Sequence, residues 1–162
     1  MKIRIAALLA LIAVPAQAQT ALRTDLKGYT VGAEVGPDTL RACKASVYSH
    51  TCPADADTEI SVNTTSHLNP NVIWRVGHRF GYAGEVSKLL ESISDSYALK
   101  KPSRRRASDK RVIYLWKRSD GTHFELVGND QAYYLSIENK ALADAVAKSG
   151  RDKTKSVAPP KF

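Results

Sequence analysis

Apolar residues recur at every second position over 58–64, where Ile60 and Val62 share a face, and again over 72–80, where Val72, Trp74, Val76 and Phe80 share one. Period-two alternation is the signature of a strand with one face buried. Asn69-Pro70-Asn71 between the two stretches is turn chemistry, so the pair reads as antiparallel, with Arg75 and Arg79 on the opposite face. The period then changes. Val86, Leu89, Leu90, Ile93 and Tyr97 stand at i, i+3, i+4, i+7 and i+11, which predicts a helix over 84–99 with one apolar stripe. Alternation returns over 111–118 and 122–128 around Ser119-Asp120-Gly121. A three-residue loop with Gly at the left-handed position pairs Trp116 with Phe124 and Tyr114 with Leu126, collecting the aromatics on one face. A two-residue Asp-Gly turn would oppose Trp116 to Glu125 instead, and the first register is the expectation. Gly128-Asn129-Asp130 turns into a further strand over 132–137, with Tyr133, Leu135 and Ile137 inward. Asn139 is suited to cap a last helix over 140–149, ending at Gly150.

Nearer the start, Tyr29–Gly32 reads as a short extended piece. Pro37-Asp38 opens an expected helix over 38–47, with Leu40, Cys43 and Val47 on one face. The segment His50-Thr51-Cys52-Pro53 reads as a loop. The resulting order, β-α-β-β followed by α-β-β-β-α, predicts an α+β domain in which antiparallel β-hairpins or a meander are covered by helices on one side. Each half consists of a helix, a long loop containing Pro (Pro53, Pro102) and a hairpin, a tandem helix-loop-hairpin plan. The expected core is Trp74, Leu90, Ile93, Trp116, Phe124 and Tyr133.

Composition changes the picture at the two termini. Lys2 and Arg4 precede an unbroken apolar run from Ile5 to Val14, Pro15 ends it, and Ala16-Gln17-Ala18 is a small-x-small cleavage box. This is the pattern of a secretory signal peptide over 1–18, too short to anchor in a bilayer. No Cys follows the box, so lipid attachment is not expected. The expectation is a periplasmic or secreted protein with one domain over 19–150 and no transmembrane segment in its mature form. Residues 151–162, patternless and basic, are expected to be a disordered tail.

Beyond residue 18 the chain holds 22 basic and 16 acidic residues, a net +6. Residues 100–111, KKPSRRRASDKR, alone carry seven basic residues against Asp109, also a net +6. Export makes nucleic acid an unexpected natural partner. The anions of an envelope are lipid head groups, lipopolysaccharide phosphates, wall polymers and acidic protein patches. Arginine suits forked contacts with phosphate and carboxylate. Two readings stand for this segment: a solvated connector, or an anion-binding loop built from Lys100, Lys101, Arg104, Arg105, Arg106, Lys110 and Arg111, with Pro102 preventing helix continuation.

Cys43 and Cys52 are the two cysteines, eight residues apart in an exported chain, which predicts a structural disulfide. The chain-entropy model assigns a loop of this size roughly 2.5–3 kcal/mol. Catalytic chemistry is not expected: the sequence has no nucleophile elbow, phosphate loop or dinucleotide fingerprint. The histidines His50, His67, His78 and His123 lack metal-ligand spacing. Asp55, Asp57 and Glu59 lack the turn Gly and distal Glu of a calcium loop. Neither a metal nor a cofactor is expected.

Asp25-x-x-Gly28-x-x-x-Gly32 followed by a helix with Leu40 and Cys43 resembles the opening of many small bacterial periplasmic proteins. The helix-loop-hairpin plan is similar to the tandem repeats of beta-lactamase-inhibitor-like proteins and of the small outer-membrane-assembly lipoprotein, whose lipidated Cys this chain lacks. The resemblance implies a fold and carries over no functional residue. The leading expectation is a small exported binding or interaction protein without catalysis. The alternatives are an envelope hydrolase whose site carries no recognisable motif, and an inhibitor of an envelope enzyme. Mass spectrometry of exported material is expected to find the chain beginning at Gln19. A product retaining residues 1–18 would remove the compartment argument.

Overall fold

The computed structural model describes residues 22–46, 49–55, 58–65, 71–107, 111–129 and 132–156, the side chains of 129 and 150–156 excepted. The expected leader at 1–18, the center of the Asn69-Pro70-Asn71 turn, Val47, Asp57, His67, Lys110 and residues 157–162 lie outside them. The chain is α+β. Among the described residues ten strands and three helices follow in the order β1 (Asp25–Leu26), β2 (Tyr29–Thr30), α1 (Pro37–Arg41), β3 (Lys44–Ala45), β4 (His50–Asp55), β5 (Thr58–Thr64), β6 (Ile73–Gly81), α2 (Val86–Ser96), β7 (Ser103–Arg106), β8 (Val112–Lys117), β9 (Thr122–Asn129), β10 (Ala132–Asn139) and α3 (Lys140–Ser156). β1 and β2 form a separate hairpin. The other eight form one antiparallel sheet in the order β3-β4-β5-β6-β10-β9-β8-β7. Each half of the chain contributes a four-stranded meander, and the two meanders meet where β6 pairs with β10.

Strand register lays the core out in rows. Ile60, His78, Leu135, Leu126 and Tyr114 stand opposite one another across five strands. So do Val62, Val76, Ile137, Phe124 and Trp116. The hairpin register is the one that places Trp116 against Phe124, with Gly121 left-handed at φ 82°. Asp120 secures the loop by accepting from Thr122 N at 2.9 Å and pairing with Arg118. Burial pushes its carboxyl up, but these bonds outweigh that and hold it below the usual carboxylate range.

A layer of helix and hairpin covers this face. Leu89, Ile93 and Tyr97 of the α2 stripe are buried with Leu26 and Val31. The Trp116 indole N–H donates to Ser94 Oγ at 3.2 Å, Tyr97 lies 5.0 Å from Phe124 ring to ring, and its hydroxyl donates to Asp25 O at 3.0 Å. Burial raises the Tyr97 phenol above its usual range. Tyr97 thus ties α2, the sheet and the β1–β2 hairpin together.

Five expectations are corrected. The helix expected over 38–47 ends at Arg41, because Lys44 and Ala45 pair with Thr51 and His50 in the sheet. This pairing sets Cys43 opposite Cys52, and the two are disulfide-bonded with Cα atoms 4.3 Å apart. The expected loop at 50–53 is β4. Pro53 is tolerated there because it lies past the reach of two-residue β3, where no ladder partner needs its missing N–H. Trp74 is half-buried and outside the core. The register shifts at this point, with Thr64 opposite Ile73 but Asn63 opposite Arg75. Trp74 is the extra residue, and Ile73 takes the inward place. Leu90 is half-buried beside the core rather than within it. Finally, α3, capped by Asn139 Oδ1 accepting from Leu142 N at 3.1 Å, runs through Gly150 to Ser156, so part of the expected disordered tail is helical.

Trp116, Phe124, Ile93 and Tyr133 are buried in one cluster, as expected. Truncating Phe124, which is fully buried, to Ala is expected to cost about 3–5 kcal/mol in chemical denaturation. A loss below about 1 kcal/mol would show that the aromatic row does not carry the core.

Candidate functional site: the basic edge and its groove

The segment 100–111 is not a free loop. Ser103–Arg106 forms β7, the outer strand of the sheet, with Ser103, Arg104, Arg105 and Arg106 opposite Leu115, Tyr114, Ile113 and Val112. Ser103 Oγ donates to Leu115 O at 3.2 Å, and Ala107 N donates to Arg111 O at 2.8 Å, closing the hairpin. A run of arginines is at home there because long cations on an outer strand repel strands that would pair with its open side. Pro102 precedes the strand, so its absent N–H disturbs no pairing.

The pleat divides the cluster. Arg104 and Arg106 share a face with Tyr114 and the core rows, the side on which α2 packs. Arg105 projects to the other face, where its guanidinium lies 3.8 Å from the Glu125 carboxylate. This pair is largely solvated and contributes little stability, but it partly compensates Arg105. Lys100 and Lys101 come from the turn out of α2. That turn is a Schellman closure: Leu99 N donates to Ser94 O at 2.8 Å and Ala98 N to Asp95 O at 3.4 Å. Ala98 sits left-handed at φ 51°, where Gly is usual.

Between α2 and the β7–β8 edge this turn leaves a groove of about 460 Å³. Its walls are apolar, with Leu90 from the helix, Leu99 and Pro102 from the turn and Tyr114 from β8. Lys100, Lys101 and Arg104 border it, and Glu91 and Ser94 lie on the helix side. The structure therefore gathers three of the seven expected anion-binding residues around one cavity. Arg106 lies further along the same face, Arg105 on the opposite one, and Arg111 directly before β8. Lys110 lies outside the described residues. The apolar walls were readable as helix stripe and strand alternation, but their opening beside the cations depends on where β7 pairs.

No family model, curated protein or solved structure matches this chain.

The opposite sheet face holds a second, polar depression of about 160 Å³, lined by Arg75, Leu115, His123, Glu125, Ser136 and Glu138. Register assembles it: Arg75, Glu138, His123 and Lys117 stand in one cross-strand row, and Ser136 and Glu125 in the next. Arg75 Nη2 donates to Ser136 Oγ at 3.1 Å and its guanidinium lies over the Tyr134 ring, 6.0 Å from the centroid. His123 Nδ1 lies 3.7 Å from Glu138 Oε1. Gly77 leaves room for this arrangement, since a Cβ there would overlap the Tyr134 hydroxyl. Glu138 stands next to Arg75 in the row and Glu125 lies in the next one, so the depression holds carboxylates together with its cation, unlike the basic edge. Alternation placed Arg75 and Arg79 on this face, as expected, but only register brings in His123, Glu125 and Glu138. Among the described residues no group of three or more His, Cys, Asp or Glu could hold a metal ion.

Ala98→Gly removes the left-handed penalty at the turn that shapes the groove. It is expected to raise stability by about 1 kcal/mol, seen as a higher melting temperature. A lower one would show that the Ala98 methyl contributes packing the closure needs.

Proposed function

We propose that this chain is an exported interaction protein, without catalysis, that docks on anionic components of the cell envelope through the basic end of its sheet. One observation carries the reading: Lys100, Lys101 and Arg104 converge on a groove whose walls are apolar. Cations beside apolar surface match an amphiphile, whose head group is charged and whose body is not. Arg106 extends the same positive face. The leader pattern and the Cys43–Cys52 bond support an oxidizing destination. No helix among the described residues is long and apolar enough to cross a membrane, so an encounter with lipid would be from the surface.

Co-sedimentation with vesicles containing acidic phospholipid tests this reading. The mature protein is expected to bind at low ionic strength and to be released as salt approaches physiological levels. Arg104→Ser and Arg106→Ser are each expected to weaken binding about fivefold, with little change in melting temperature. Arg105→Ser should act less, because Arg105 faces the other way beside Glu125. Equal sedimentation of the wild type and the Arg104/Arg106 double variant, or no wild-type binding, would leave the basic edge as a guarded sheet margin only.

A further inference from the structure

Several features compete for a ligand. The polar depression is self-compensated: Arg75 is engaged with Ser136 and Tyr134, and His123 faces Glu138. His78 is buried with an unpartnered Nδ1, but it stacks on Phe80 within the core face, enclosed by its own row. The groove beside β7 has both an apolar interior and an uncompensated charge at its border.

We infer that this groove is a binding site for the chain of a free fatty acid, with its carboxylate held by Lys100, Lys101 and Arg104. The inference rests on the reading of the basic end as an anion-docking surface and deepens it by naming the ligand class. The walls supplied by Leu90, Leu99 and Tyr114 offer the ligand body no charge to satisfy, so an alkyl chain gains by leaving water, roughly fourfold in affinity per buried methylene. The cations sit on one side only, at the turn and the start of β7, which defines a head end. Arg104 can fork to both carboxylate oxygens, while the two lysines act as point charges. Glu91 on the helix side opposes an anion placed there and so favors the turn side. The cavity is one continuous groove of about 460 Å³, and a single free chain can occupy it without being drawn from a bilayer as a two-chain lipid would be.

Calorimetric titration of the mature protein with monomeric fatty acids of eight to fourteen carbons tests this. Affinity is expected to climb roughly fourfold per methylene and then level off once the chain outruns the groove. Dodecanol, with no charge, is expected to bind at least about tenfold more weakly than laurate, and Arg104→Ser to cost laurate about tenfold. Glu91→Gln is expected to tighten laurate binding, and Leu90→Glu to abolish it. Because Leu90 is half-buried, circular dichroism must show Leu90→Glu folded. Should it unfold, Arg104→Ser and the chain-length series decide on their own. Butyrate binding as tightly as laurate, dodecanol matching laurate, or no laurate binding would each overturn the proposal. The vesicle assay separates the two readings. Vesicle binding without laurate binding removes the groove proposal and leaves surface docking, whereas loss of wild-type vesicle binding removes the docking reading itself.

Discussion

The pairing of β6 with β10 is the constraint on which the rest of the molecule depends. Every other contact in the eight-stranded sheet joins strands consecutive in the chain, whereas this one joins residues 75–81 to 132–138. Fifty residues lie between Gly81 and Ala132, and the length-dependent part of closing such a loop costs about 3.5 kcal/mol. What offsets it is the burial gained at the seam. Val76 faces Ile137 and His78 faces Leu135, all buried. With the seam formed, the inward rows of the two meanders become continuous, and α2 with the β1–β2 hairpin has one surface to cover. Without it each meander would expose the apolar side chains that it buries at the seam.

The basic edge follows from the same geometry. The second meander runs outward from β10 through β9 and β8, so the strand entering from α2 must be the outermost. Tyr97 anchors the end of α2 on Phe124 and on Asp25 O, and the left-handed Ala98 turns the chain back toward the margin. The space between that anchored helix and the margin is the groove. Its position beside the cations is therefore a result of topology as well as of composition.

Much of this was legible in the residues. The Ser119-Asp120-Gly121 loop fixed the Trp116–Phe124 register because only Gly accepts the left-handed position at no steric cost. The α2 stripe, the alternation of 58–64 and the Cys43–Cys52 bond were readable for equally local reasons. Illegible were the elements that carry no period. SRRR looks like a loop because an outer strand need not bury alternate side chains, and HTCPAD looks like one because it carries Pro53 and has only two-residue β3 on its outer side. Trp74 misled because a bulge reverses parity, and no local residue type announces one. The extent of α3 past Gly150 was missed because a single glycine inside a helix is only modestly unfavorable. The groove needed both β7 and the Schellman turn to be known before its walls and cations could be placed together.

The two margins of the sheet are guarded by different chemistry. At one end β7 relies on the charge of its arginines. At the other, β3 is only two residues long and its start is bound covalently to β4 through Cys43 and Cys52. Salt weakens the first safeguard and leaves the second untouched, and a reductant does the reverse. The molecule's resistance to edge-to-edge polymerization thus has two independent dependences, one on ionic strength and one on redox potential, located at opposite ends of a single sheet.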